Sequence, residues 1–136
     1  MDGRIVAGAA ALFVALAPMA QAQEDGVLEG VIQRQIEAFL ENDVDEAFSY
    51  ASPMIQGMFR TPERFGAMVR DGYPMVWRPS DMRFLERRVE DGRVYQQLSV
   101  RGPTGQYHVL DYQMIETPGG WQINGVQVLQ TPDVGA

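Results

Sequence analysis

Hydrophobic residues recur with a helical spacing near the start of the domain and with a period of two from Met82 onward. Residues 28–40 carry an apolar stripe at spacings of three and four positions, which predicts one amphipathic helix. Acidic residues stand near its start, where the helix dipole favours negative charge. The stripe comprises Leu28, Val31, Ile32, Gln35, Ile36, Phe39 and Leu40.

Three further helix starts follow between residues 43 and 62. Asp43 precedes Glu46 by three positions, the spacing of a capping box in which the two side chains satisfy each other's backbone N–H groups. Ser52-Pro53 and Thr61-Pro62 each place a capping hydroxyl before a proline at the first helical position. The helix that begins at Pro62 is predicted to end at Gly72 in the left-handed conformation, because a proline follows two residues later.

From Met82 onward the period changes to two. Apolar and polar side chains alternate through residues 94–101, 108–115 and 121–128, and short turns rich in glycine and proline separate the runs. Asn124-Gly125 is predicted to be a bulge inside the last strand, because too few residues flank it for another hairpin. The expected fold class is therefore α+β, with N-terminal helices packed on a curved four-stranded antiparallel meander.

The N-terminal segment has the pattern of a secretory signal peptide. An apolar run from Ile5 to Pro18 is followed by Ala20-Gln21-Ala22, which supplies the small residues that signal peptidase requires. The run is shorter than the roughly 20 apolar residues that span a bilayer, which argues against a stable membrane anchor. We expect residues 1–22 to be removed, residues 23–136 to form one domain, and the mature protein to be periplasmic or secreted.

Composition narrows the classes of partner and cofactor. The chain has 136 residues and a formal net charge of −7, which argues against binding nucleic acid or anionic membranes. It contains no Cys and a single His, His108, so disulfides are excluded and an all-protein zinc site is not expected. No cofactor is predicted.

Segments along the domain resemble known families. The ending Gly120-Trp121-Gln122-Ile123-Asn124-Gly125-Val126, placed after helices and a sheet, resembles the last strand of the nuclear-transport-factor-2-like cone, the ketosteroid-isomerase (cystatin-like) type of fold. Residues 32–39, 48–53, 73–79 and 110–112 are similar to an uncharacterised family of exported bacterial proteins known only as a domain of unknown function. The resemblance implies a cone fold without an assigned chemistry, since the wider superfamily holds isomerases, dehydratases and non-catalytic binding modules.

The stretch RDGYPMVWRP, residues 70–79, is the first candidate site. Its prolines predict an edge strand or an irregular arm rather than a good helix or a central strand. Buried as a plug, Tyr73 and Trp77 would complete the core. Placed at the lip of a cone, the same two rings would line a ligand site, with Arg78 able to meet an anionic group.

Asp111 is the candidate catalytic residue, because a carboxylate buried inside a cone would be a plausible general base. Strand alternation instead places Leu110, Tyr112 and Met114 on the more apolar face, which predicts an outward-facing Asp111. Tyr112 and His108 share the face opposite Asp111 and are candidate ligand-binding residues.

Three functions remain open from these patterns. The leading hypothesis is a non-catalytic module that binds a small apolar or anionic ligand or acts as an accessory protein. The second is a cofactor-free enzyme of isomerase or dehydratase type that uses Asp111. The third is an interaction domain that forms a homodimer or another complex through its sheet.

The signal-peptide assignment predicts a mature chain that begins at Gln23. Intact-mass analysis of protein from the periplasm or the medium should give the mass of residues 23–136. Recovery of the uncleaved chain from the cytoplasm would contradict the assignment.

Overall fold

The structure is a computed structural model that describes residues 26–129. The predicted signal peptide and its cleavage site lie outside the described residues. Within residues 26–129, five helices precede four strands: α1 (26–40), α2 (Val44–Ser49), α3 (Pro53–Phe59), α4 (Pro62–Gly72), α5 (Pro74–Trp77), β1 (Asp81–Glu90), β2 (Arg93–Arg101), β3 (Tyr107–Thr117) and β4 (Gly120–Leu129).

The three predicted N-caps are confirmed. Asp43, Ser52 and Thr61 each accept a hydrogen bond from the backbone N–H three residues later, at 3.1, 3.4 and 3.2 Å. The reciprocal half of the predicted capping box is absent among the described residues. The N–H of Asp43 donates instead to the carbonyl of Ala38 at 2.8 Å, so the end of α1 satisfies the group that the side chain of Glu46 was expected to reach.

The Pro-bracketed stretch departs from its prediction. Residues Pro74–Trp77 form one helical turn instead of an edge strand or an irregular arm. Proline is well placed at the first helical position, where an N–H would have no helical partner, and the N–H of Arg78 closes the turn on the Pro74 carbonyl at 3.0 Å. Gly72 is the last residue of α4 and does not have the left-handed conformation that was predicted for it.

The strands form one open antiparallel sheet in the order β1-β2-β3-β4, which confirms the α+β prediction. Asp91 and Gly92 both have positive φ in the first hairpin turn, as an Asp-Gly pair allows. The register between β3 and β4 shifts where Gln113 and Met114 face Gly125 and Ile123. Asn124 is the extra residue, which confirms the predicted bulge.

The helices cover one face of this sheet. The side chains of Leu110, Tyr112 and Met114 are fully buried on that face, together with Leu98 and Val100 of β2. The predicted alternation is therefore confirmed, and Asp111 lies on the opposite, outer face of β3. Burial of each of the Leu, Val and Met side chains in this set contributes about 1.5–3 kcal/mol relative to an exposed position.

The segment between α2 and α3 pairs with part of the free edge of β4, the side of the strand that does not face β3. Ala51 forms a parallel bridge with Ile123. The N–H of Ser52 donates to the Ile123 carbonyl at 2.8 Å, and the N–H of Ile123 donates to the Tyr50 carbonyl at 2.9 Å. Exposed strand edges otherwise pair with other chains, so this bridge protects the middle of β4.

Side-chain hydrogen bonds extend from this bridge through the bulge. The buried hydroxyl of Ser52 donates to Asn124 Oδ1 at 2.7 Å, and Asn124 Nδ2 donates to Gln113 Oε1 at 2.5 Å. Gln113 Nε2 then donates to the Tyr95 hydroxyl at 2.9 Å. The bulge thus connects the helix layer to the outer face of the sheet.

Substitution of Asn124 tests this connection. Asn124→Ala should lower the free energy of unfolding by about 1–3 kcal/mol, because it leaves Ser52 and Gln113 without their partner. Gln127→Ala on the same strand is the control, since Gln127 is exposed and should change stability by less than about 0.5 kcal/mol. Denaturant melts in which both variants match the wild type would contradict a stabilising role for the bulge.

Tyr112 gives a second prediction. Its hydroxyl is buried without a hydrogen-bond partner among the described residues, and burial raises its pKa far above the ordinary value of about 10. Tyr112→Phe should therefore leave the free energy of unfolding at neutral pH unchanged, or raise it by up to about 1 kcal/mol.

The same group makes stability depend on alkaline pH. Above about pH 10 the unfolded state releases the Tyr112 proton while the folded state retains it, so the free energy of unfolding falls as pH rises. The slope from this group reaches about 1.4 kcal/mol per pH unit. Denaturant melts from about pH 8 to about pH 11 should show a shallower decline for Tyr112→Phe, and equal slopes would contradict the assignment.

Candidate functional site

An apolar cavity of about 230 Å³ lies between the helices and β4. Residues from α1, α3, α4, α5 and β4 and from the bridge segment form its walls, so no single element defines it. The lining residues are Gln35, Phe39, Ala51, Ile55, Met58, Phe59, Phe65, Met68, Val69, Tyr73, Val76, Ile123, Gly125 and Val126. None of the lining side chains in the described range is charged.

Aromatic packing holds the helical walls in place. The ring of Phe65 on α4 lies 5.9 Å from Phe39, 5.3 Å from Phe48 and 5.7 Å from Phe59 between centroids. These tilted and edge-on contacts stabilise the pairs beyond their burial alone. Phe65 therefore ties α1, α2 and α3 to α4 beside the cavity.

Close backbone contact supports the same wall. Gly66 follows Phe65 and packs against Val44, and a Cβ at position 66 would lie only 2.5 Å from Val44 Cγ1. A larger residue there would separate α4 from α2. The glycine thus allows the aromatic residues to meet.

Gln35 brings a polar group into the lining. Its side chain is 2% exposed, and Nε2 donates to the Ala47 carbonyl at 3.1 Å. Its Oε1 accepts no hydrogen bond from the described residues. Gln35 therefore contributes to the lining an amide whose oxygen has free acceptor capacity, beside mainly apolar residues and Tyr73.

The cavity opens beside α3. Met58 lines it and is 62% exposed, and Ile55 lies one turn earlier on the same helix. Methionine is flexible and packs against varied apolar shapes, which suits the mouth of a binding site.

A second depression of about 290 Å³ lies between α1 and the start of β1. It is more open, and its lining includes the carboxylates of Glu37 and Asp81 and the exposed side chain of Leu40. Its lining lacks the mainly apolar character of the first cavity. The cavity at α3 is the better candidate for ligand binding.

The three predicted ligand residues of the Pro-bracketed stretch lie in different environments. Tyr73 lines the cavity, whereas Trp77 and Arg78 are not among its lining residues. The ring of Trp77 packs 5.5 Å from that of Phe39, and the Arg78 guanidinium stacks on Trp77 at 4.7 Å. Arg78 Nη1 donates to the carbonyls of Phe39 and Trp77, and its Nη2 donates to Asn42 Oδ1. These contacts fasten α5 to the end of α1, which favours the plug interpretation.

Asp111 lies on the outer face of the sheet and is only 4% exposed. Arg88 on β1 reaches across β2 and donates to both carboxylate oxygens, at 2.7 and 3.2 Å, while its guanidinium stacks on Tyr95 at 4.7 Å. Hydrogen bonds to Asp111 and then to Glu90 raise the pKa of Arg88 above its ordinary value. The predicted face is correct, but the carboxylate is covered by an arginine instead of facing solvent.

Tyr112 and His108 also lie apart from the cavity lining. Tyr112 is fully buried in the core, and His108 is half-buried near the beginning of β3, opposite Val100. The structure therefore does not bring the sequence-predicted site residues together. Tyr73 is the one that it places in the cavity.

Within residues 26–129, no group of His, Asp or Glu side chains is arranged to hold a metal ion. The same part of the chain contains no helix long and apolar enough to cross a membrane.

Comparisons with known proteins identify a family. The comparison with curated proteins and the comparison with solved structures each gave no match. One family model, described as a domain of unknown function (DUF4864), matches residues 21–136. Because this match covers most of the chain, the protein belongs to the DUF4864 family.

Proposed function

We propose that this protein is a non-catalytic binding module that takes one small, mainly apolar molecule into the cavity beside α3. The observation that carries the proposal is a cavity with an almost wholly apolar lining in an otherwise well-packed core. Protein interiors usually contain few voids larger than a water molecule. An apolar cavity that opens to the surface is therefore a natural site for a ligand.

The size of the cavity limits the ligand. Drug-sized ligands occupy pockets of about 300–1,000 Å³, whereas an engineered apolar cavity of about 150 Å³ binds benzene. The present volume of about 230 Å³ lies between these sizes. A molecule with one or two small rings, or a short branched chain, fits this range.

The positions of ionisable groups favour binding over acid–base catalysis. Asp111 lies on the opposite face of the sheet and is held by Arg88. The described lining contains no carboxylate and no imidazole that would serve as a general base. The enzyme alternative thus lacks a base at the cavity.

The uncharged lining also favours an apolar ligand over an anionic one. Arg78, the predicted anion contact, is occupied by backbone carbonyls and by Asn42. A sheet-mediated homodimer stays a prediction. The outer face available for it carries mainly polar side chains, such as Gln97, Ser99 and Gln113, whose positions follow from the strand register.

The proposal includes the cone fold and export expected from sequence. A cavity enclosed between helices and one sheet face is compatible with the nuclear-transport-factor-2-like cone. Export would place the binding activity in the periplasm or outside the cell.

Two variants on one helix test the binding site. Ile55→Trp should fill the cavity and abolish the stabilisation produced by a small aromatic probe such as toluene, because Ile55 lines the cavity. Met54→Trp is the matched control, since Met54 is 54% exposed and is not a lining residue. In the wild type and the control, toluene at about ten times its Kd should add about 1.4 kcal/mol to the free energy of unfolding.

The measurement is thermal unfolding with increasing toluene, followed by calorimetric titration. A wild-type protein that shows neither stabilisation nor binding heat would overturn the proposed function. Binding that survives in Ile55→Trp as fully as in Met54→Trp would place the probe outside this cavity.

A further inference from the structure

Resting on the proposed function, we propose that the cavity selects neutral ligands that carry one hydrogen-bond donor, such as a hydroxyl, which donates to Oε1 of Gln35. The apolar part of such a ligand would lie against the aliphatic and aromatic walls. The site would thus prefer small phenols or alcohols to hydrocarbons of the same shape.

The orientation of the Gln35 amide is determined by its partner. Nε2 is the donor to the Ala47 carbonyl, and the opposite assignment would place two oxygen atoms 3.1 Å apart. Because the amide nitrogen faces α2, Oε1 is the atom left as an acceptor. The residue is 2% exposed overall, but Oε1 is not among the fully buried side-chain atoms that lack a hydrogen-bond partner, so this oxygen keeps some solvent-accessible surface.

A bound ligand makes the acceptor selective. The ligand would cover this oxygen, and an amide oxygen removed from water without a partner costs free energy that a ligand donor would offset. A hydrocarbon in the same position would leave the oxygen unpaired. A net hydrogen bond of ordinary strength corresponds to a preference of about 3- to 10-fold in Kd.

Charge restricts the donor to a neutral group. An anionic ligand would place its charge beside the Gln35 oxygen in an apolar lining, without a cation to compensate it among the described lining residues. An ammonium would lose its hydration and meet no lining carboxylate there. A hydroxyl avoids both penalties.

Phenol and toluene are a suitable pair of probes because a hydroxyl replaces a methyl group of similar size. Calorimetric titrations should measure both Kd values in the wild type and in Gln35→Met, which keeps the length of the side chain and removes its acceptor. The ratio of the toluene Kd to the phenol Kd should fall by about 3- to 10-fold in the variant. Each probe loses the same hydration on binding to either protein, so this contribution cancels when the Kd ratios of the two proteins are compared.

Gln33→Met is the matched control, because Gln33 lies on the same helix but is exposed and outside the cavity lining. It should retain the wild-type ratio. In Gln35→Met the Ala47 carbonyl still accepts the N–H of Tyr50 at 3.3 Å, so α2 keeps one of its two bonds there.

A measurement on the wild type alone covers the case in which Gln35→Met does not fold. Benzyl alcohol and anisole have the same number of heavy atoms, but only benzyl alcohol donates a hydrogen bond. After correction for partition from water into hexane, benzyl alcohol should bind more tightly. Equal corrected affinities would overturn the inference.

The outcomes separate the two proposals. If toluene binds but the preference for phenol is the same in the wild type and in Gln35→Met, the proposed binding function stands. The proposed selectivity for a hydrogen-bond donor is then overturned. Absence of binding by every probe would overturn both. A phenol preference that decreases only in Gln35→Met supports the inference.

Discussion

The short backbone bridge between Ala51 and Ile123 is the contact on which the arrangement of this domain depends. It joins the loop after α2 to the last strand, more than 70 residues later, through two backbone hydrogen bonds. Ser52 is both a partner in this bridge and the N-cap of α3. The position of α3 relative to the sheet is therefore set by main-chain bonds as well as by side-chain packing.

That constraint also explains why a cavity exists. The side chain of Gln56 donates to the carbonyls of Phe48 and Ala51, and that of Gln122 also donates to Ala51, so the loop is held from both sides. With α3 fixed in this way and α4 held by the Phe65 cluster, the helices cannot collapse freely onto β4. Space remains between them, and surrounding structure that relaxes only partially is what preserves a cavity in a core.

Features set by residues close together in the sequence were predicted more accurately than features set by residues far apart. The caps at Asp43, Ser52 and Thr61 depend on neighbours three residues away, and strand alternation around Tyr112 depends on a local period, so both were predictable. The helical turn at Pro74 was missed because two prolines suggest a break, whereas packing of Met75 and Val76 into the core supports the turn.

The candidate site was less accessible to such reasoning. A cavity is a gap left by several elements, and no spacing along one of them indicates it. Gln35 did carry a signal, since it is a polar residue in the apolar stripe of α1, but its free oxygen becomes evident only when α2 is in place. The burial of Asp111 likewise requires an arginine two strands away.

The link from Arg88 to Asp111 has a consequence for how the sheet assembles. β1 is an edge strand, mostly exposed and rich in charge, so hydrophobic burial alone specifies its pairing weakly. A slip by one residue would turn Arg88 toward the opposite face and leave a carboxylate of β3 without its cation, a costly arrangement for a charge with so little exposure. The ion pair thus favours the native register of β1 over the registers one residue away.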